Sequence, residues 1–479
     1  MGDRGKLGAK DHGFVGIYAI TLTADDGVRL GRAFGGSVTA GRREGGGGPA
    51  RIALGFDLRP GSWELQNAVV RGLASEGVSV IHVGNAGAAL VLFAAARLKL
   101  DGAVVVGGGP RPAHWNGVRF YREGRPLGAD EIGALRCRAF DMSSRDILPF
   151  SGEVTYLNLA PDYLRAMEQE FEETTRSLRR RPLRVAVATL PGTASLVAPH
   201  ALRRVGCRVV RIGRESLGGD RGEMTGLSEG VLLRRLGEGV RRSGAEVGFV
   251  LDGDGARLHV LDSDGGPAPP DFIAALIVRG LPHAPVVAAD IRSGDLIEKP
   301  VSDRRGRLEW SGPGESSLEE KLRGTGAVFA AGADGLCLFA DRGAPRPDGI
   351  YTALRLIESF TRIRDREGRD LRLREALPGS ERFRAPERVI QGRGSRTILH
   401  RFREILEIEE WQPRSVVHVP GAAVRVRFDD SWGVLYRAPE TADLHLRFEA
   451  RTEEAFHRTG DFLRDVLERA RETAVPAPA

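Results

Sequence analysis

The chain has few cysteines, little lysine and no long apolar run, and each shortage closes off a class of protein. Cys137, Cys207 and Cys337 are scattered and odd in number among 479 residues, which excludes a disulfide framework and a cysteine-based zinc site and fits a reducing cytoplasm. No run is long enough to span a bilayer, and the opening stretch MGDRGKLGAKDHG has no apolar signal segment, so no membrane association is expected. Aromatic residues make up only 6% of the chain. The net charge of +6 suggests an acidic partner, but only Lys6, Lys10, Lys99, Lys299 and Lys321 are lysines among the 70 basic residues. An arginine bias of that kind reflects genome composition rather than a nucleic-acid surface, and no nucleic-acid partner is expected. The densest basic run, Arg179 to Arg181, follows the acids Glu168 to Glu173, as on a helix matched to its dipole, and reads as a solvated linker.

What is present is a large apolar fraction, 41%, enough for three or four domains. Apolar runs at Ile52–Gly55, Val78–Val83 and Ala103–Val106 alternate with helical patterns at Ser62–Glu76 and Ala88–Leu98, which predicts α/β layering. Thr23 is placed to cap a helix through Leu30 and Phe34, and the glycine-rich 41–49 reads as a surface loop. A helical segment spans Pro161–Leu178. A second α/β unit follows over 185–251, and a third after Pro267, with Ser316 and Glu319 as a capping box and Asp348 opening a helix. The last hundred residues differ: a helix from Ser395, four alternating strands and a helix over 453–472 predict a separate α+β domain.

The stretch that organises the chain is Gly248–Gly266. Phe249-Val250-Leu251 predicts a buried strand that delivers Asp252 and Asp254 onto a glycine loop, and Leu258–Leu261 returns as a second strand. Two readings stand: a solvated Asp-Gly hairpin turn, or a pair of carboxylates for a hard cation such as Mg²⁺, with Arg257 beside them to hold a phosphate. The strand Ala103–Val106 runs into Gly107–Pro112, a glycine run without the spacing of a nucleotide loop. His114, beside Trp115, reads as a packing residue.

In order along the chain, LGRAFG at 30–35, GFDLR at 55–59, NGVR at 116–119, DGDGAR at 252–257, DGIYTALRLIE at 348–358, SWGVLYRAPET at 431–441 and LRFEA at 446–450 resemble the α-D-phosphohexomutases of the phosphomannomutase/phosphoglucomutase type. The resemblance implies an α/β fold of three similar α/β/α domains and a smaller α+β domain around a central cleft, divided at 1–150, 151–264, 265–378 and 379–479. It also implies the chemistry of that family, in which a phosphoserine and Mg²⁺ move phosphate on a hexose. The family's serine loop falls on Gly107–Pro112, so Gly109 stands at the nucleophile's position, leaving His114 and Ser143 as the nearest replacements. Of three metal-loop aspartates Asp252 and Asp254 remain and Ala256 takes the third place. The sugar loop falls on Gly332–Leu336, keeping Asp334 as the polar side chain there. Tyr18 replaces an arginine, and the phosphate loop keeps Arg437 and Thr441. These departures imply an impaired homologue, with Arg119 and Arg257 as the remaining cations at the reacting centre. Such a homologue would bind a phosphorylated sugar or another small anion, hold Mg²⁺ poorly, and stand alone or beside an active mutase paralogue. The alternative is a mutase of altered chemistry. A phosphatase of the aspartate-nucleophile kind is disfavoured, since no Thr or Val follows Asp254 at two residues.

Overall fold

The computed structural model describes residues 8–10, 13–44, 48–109, 111, 114–141, 151–189, 193–212, 229–343, 345–391, 394–408, 413–438 and 443–474. Its residues gather into two compact units: Met1–Pro269 with Gly335–Ala376 form unit 1, and Pro270–Asp334 with Leu377–Ala479 form unit 2.

Unit 1 contains two sheets. In the first, Gly102–Val106, Arg51–Phe56, Ser79–Asn85 and Val154–Tyr156 lie parallel in that order. On the other side of Gly102–Val106, Trp115–Arg122 and then Gly13–Ile17 run antiparallel. Every residue of Gly102–Val106 is buried, as a central strand covered on both faces requires. Helices Ala24–Glu44 and Ser62–Ser75 cover this sheet, and Phe34, Phe120 and Phe14 fill the space beneath them. Thr23 does cap the first helix: its Oγ1 accepts from the Asp26 amide at 3.2 Å, and Asp26 answers by accepting from the Thr23 amide at 2.9 Å. That helix runs on to Glu44, so Gly41–Glu44 is helical where the glycine content predicts a loop. The second sheet sets Arg208–Arg211, Arg184–Thr189 and Val247–Leu251 parallel, then returns through Leu258–Asp262 and Pro267–Ala268.

Three expectations about helices are corrected. The segment expected as one helix over 161–178 is two, Ala160–Glu170 and Glu172–Arg180, broken at the buried Phe171. The basic run Arg179–Arg181 closes the second of these, as its acid-to-base order predicts, but it is not a linker: Arg181, the C-cap, pairs with Asp370 at 2.6 Å. The Ser316/Glu319 box is absent: Gly314 occupies the N-cap of Glu315–Thr325, and Glu319 pairs with Arg323 one turn on. By contrast, Asp348 caps Gly349–Glu367 as expected, accepting from the Tyr351 amide at 2.9 Å.

Unit 2 contains a parallel run, Arg307–Ser311, Val286–Asp290 and Phe329–Ala331. Beside it is an antiparallel sheet in which Ser415–Val419, Ala423–Arg427, Ser431–Arg437 and Leu444–Ala450 follow one another. Helices Ser395–Ile408 and Glu453–Ala474 bury Phe402, Leu463 and Val466 against this sheet. Alternation of side chains along Leu444–Ala450 places Leu444 and Leu446 in that core.

Candidate functional site

In unit 1 the Asp252 corner forms because Val247–Leu251 pairs antiparallel with Leu258–Asp262, leaving Asp252–Arg257 as the connecting loop. The loop is held on both sides. The Arg257 amide donates to Asp252 Oδ1 at 3.0 Å, and the Gly349 amide, at the start of a helix, donates to the Gly255 carbonyl at 2.7 Å. Asp252 and Asp254 are both buried, 3% and 2% exposed, so the corner is not a solvated turn. The Arg119 guanidinium, brought in by strand Trp115–Arg122, forms an ion pair with Asp254. Arg257 Nη1 lies 3.7 Å from Asp252 Oδ2, near enough to attract and too far for a hydrogen bond.

These contacts divide the two carboxyls. Burial and the neighbouring Asp254 charge push Asp252 up to about 8. Burial acts the same way on Asp254, but Arg119 and Arg257 outweigh it and hold Asp254 down at about 2. The corner therefore favours charge on Asp254, matched by the Arg119 guanidinium, and disfavours it on Asp252. Ala256, fully buried, supplies no third oxygen. Among the described residues no three histidines, cysteines, aspartates or glutamates cluster as metal ligands. A Mg²⁺ ion asks for six oxygens at close to octahedral angles, and this donor set does not fit it.

Beside the corner lies the glycine loop. Asp57, a residue the sequence reading did not single out, is buried and accepts from Ser62 Oγ at 2.5 Å and from the Gly108 amide at 3.2 Å. Burial raises its carboxyl, Ser62 and Arg59 pull it back, and the Asp254 charge adds to the rise. Arg59 also went unnoticed in the sequence. It pairs with Asp57 at 3.0 Å and donates to the carbonyls of Trp115, at 3.2 Å, and Gly109. Gly109 has φ +61, the left-handed region that favours glycine, and a Cβ there would meet nothing within 4 Å. Position 109 is thus open space next to a pinned backbone. His114 is exposed, and Ser143 lies outside the described residues. Tyr18 packs on the unit 1 core. Arg119, Arg257, Asp252 and Asp254 come together, then, with Asp57 linking them to the Gly109 loop.

In unit 2, Arg437 ends strand Ser431–Arg437, and its amide donates to the Ala422 carbonyl at 2.8 Å. Thr441 lies outside the described residues. Asp334 acts electrostatically on Arg292, which sequence reasoning missed. Arg292 grips the buried Asp290 through Nε at 2.9 Å and lies 5.5 Å over the Tyr436 ring, one residue before Arg437. The signal that could have found it is the exit of an apolar strand, Val286–Asp290, into a charged residue.

The family models that match are "Phosphoglucomutase/phosphomannomutase, alpha/beta/alpha domain I" over residues 7–145 and the corresponding domain II over 161–265, together just over half of the chain. The chain is 27% identical over 471 residues to a phosphomannomutase/phosphoglucomutase of Pseudomonas aeruginosa, covering 97% of this chain and 96% of that protein. It is also 27% identical over 441 residues to a probable phosphoglucosamine mutase of Methanothermobacter thermautotrophicus, covering 88% and 91%. Among solved structures, a phosphoglucomutase/phosphomannomutase family protein from Burkholderia thailandensis superposes with a TM-score of 0.83 at 26% identity, over 97% of this chain and 98% of that one. An Aspergillus fumigatus N-acetylphosphoglucosamine mutase, solved with GlcNAc-6P and magnesium, shares the fold at a TM-score of 0.56 and 10% identity, over 99% and 97%.

Proposed function

Since this chain belongs to the phosphoglucomutase/phosphomannomutase family of α-D-phosphohexomutases, we propose that it binds a phosphorylated hexose while its phosphoryl transfer is impaired. The observation that carries this reading is Gly109, with neither a hydroxyl nor a neighbouring side chain at the position where the family's serine stands. Loss of a covalent nucleophile lowers rates by about a hundredfold to a millionfold, and here the third metal-loop aspartate is missing as well.

The groups that remain suit an anion. Arg119 and Arg257 hold the corner positive around a single carboxylate, and Arg437 and Thr441 bind the sugar's phosphate, with Asp334 accepting from a sugar hydroxyl. When a hexose phosphate arrives, Arg257 supplies a forked donor pair to it, and the upward push on Asp252 lessens its repulsion of the anion. Mg²⁺ binds weakly at this corner. The four-part division at 1–150, 151–264, 265–378 and 379–479, a cytoplasmic location and a partnership with an active mutase paralogue complete the reading. The support for a phosphosugar is the family and the complex of the Aspergillus relative with GlcNAc-6P.

A second reading, an active mutase of altered chemistry, is favoured by near-complete coverage of relatives named as mutases. Calorimetric titration of glucose 1-phosphate and mannose 1-phosphate, with and without Mg²⁺, tests the first. Binding without dependence on Mg²⁺ and without turnover supports it. Turnover, or a phosphorylated residue found by mass spectrometry after incubation with glucose 1,6-bisphosphate, selects the second. Absence of binding removes both.

A further inference from the structure

We propose that unit 2 carries a second binding site, for a small phosphate monoester of a ring compound, in the recess flanked by strands Arg307–Ser311, Ser415–Val419 and Ala423–Arg427. The recess has a volume of about 400 Å³ and shares no residue with Arg292, Asp334 or Arg437. That volume is within the range of small-ligand sites.

The floor of the recess is Arg425. It is 2% exposed and held flat between two indoles, 4.2 Å from the Trp310 ring and 4.0 Å from the Trp432 ring. Its Nη1 donates to the carbonyls of Ile291 at 3.0 Å and Ser293 at 2.6 Å. Its Nη2 is buried and has no hydrogen-bond partner, and the nearest carboxylate oxygen, Glu298 Oε1, is 3.9 Å away. A buried charged donor left unmet is costly, and a ligand that accepts from it relieves that cost. Burial draws the guanidinium down to about 10, against the opposing charges of Glu298, Asp295 and Glu449.

The rest of the recess supplies the other half of a ligand. Arg305 and Arg427 line it with Arg425, three arginines against the one carboxylate of Glu298, which Arg427 already holds at 2.5 Å. A dianionic phosphate answers that imbalance, and two or more guanidinium forks suit its oxygens. Leu308 and Val417 provide an apolar wall next to Trp310, where a ring lies better than water does. Two sources share this chemistry, a nucleoside monophosphate and a hexose phosphate.

The experiment titrates the whole protein with AMP, with glucose 6-phosphate and with inorganic phosphate, by calorimetry and by quenching of tryptophan emission. The variants are Arg425→Met, Arg305→Gly and Arg437→Ala. Arg305 sits at φ +57, so glycine removes its charge while easing the backbone, and that variant keeps the test alive if Arg425→Met fails to fold. AMP or glucose 6-phosphate is expected to bind and quench, with affinity lowered about tenfold or more in Arg425→Met and Arg305→Gly, while the AMP quench is unchanged in Arg437→Ala. The proposal is overturned if neither ester binds below about 10 mM. It is equally overturned if Arg305→Gly binds as the natural protein does, or if Arg437→Ala alone abolishes AMP binding. Because Arg437 belongs to the proposed sugar site, that last result separates the two sites.

Discussion

Putting a serine at position 109 tests whether the proposed absence of a nucleophile there is a matter of room. A Cβ at Gly109 meets nothing within 4 Å, so the only penalty is the left-handed backbone at φ +61, about 1–2 kcal/mol for a residue with a side chain. The neighbouring glycine is the control. A Cβ at Gly108 would stand 2.2 Å from Arg59 Nη1 and 2.6 Å from the Trp115 carbonyl, so Gly108→Ser must displace the arginine that ties the loop together. Overpacking and the lost hydrogen bonds add to about 3 kcal/mol or more. Thermal unfolding followed by circular dichroism should therefore show a small fall in midpoint for Gly109→Ser and a fall at least twice as large for Gly108→Ser. Turnover of glucose 1-phosphate by Gly109→Ser should stay at least about a hundredfold below that of active relatives, because Ala256 still leaves the acidic corner one carboxylate short. Equal losses of midpoint in the two variants would refute the geometric reasoning, and rapid turnover by the unmodified protein would refute the functional one.

Three further outcomes follow from the buried charges. Arg119→Met removes the ion pair of buried Asp254, leaving only the more distant field of Arg257, and should lower stability by about 3 kcal/mol at pH 7. Since Asp254 is held near 2 when folded, its contribution is present above the unfolded carboxyl range and lost as pH falls, so the deficit seen by urea unfolding should shrink below about pH 4, and a deficit independent of pH would exclude this account. Asp271 behaves oppositely: burial and the nearby Glu449 raise it to about 6, so its folded form is most stable in acid and loses stability as pH rises through that value. Asp271→Asn should flatten this decline and gain on the order of 2 kcal/mol at pH 8, measured as the shift in urea midpoint. Of the three thiols, exposed Cys137 should react with Ellman's reagent well ahead of Cys337 and of Cys207, which burial pushes up to about 12.

The acidic corner was legible because its cause is local: two apolar runs of strand length separated by an Asp-Gly loop leave one way to fold. The cap at Asp348 was legible for the same reason. Arg59 was not, since one arginine among so many gains meaning only when Gly109 arrives 50 residues later to accept from it. Trp310, Arg425 and Trp432 are equally silent in sequence, because strands from distant stretches bring them together. The capping box failed where a glycine at φ +102 already turned the chain into the helix and took the N-cap position. Glycine content also misled at Gly41–Glu44, where helix 24–44 continues through it.

The path of the chain through its two units bears on how the protein is made. Unit 1 lacks Gly335–Ala376 until the ribosome has passed Pro270–Asp334, which belong to unit 2. Among the late arrivals is Asp348, whose carboxylate accepts from the Tyr163 hydroxyl at 3.0 Å, and Gly349, which ties down Gly255. The nascent amino-terminal half must wait, its acidic loop unsecured, for a segment translated long afterwards. A gene cut at codon 269 would yield a body without its closing helix, and bisecting this protein for separate expression calls for grafting 335–376 back onto the first piece.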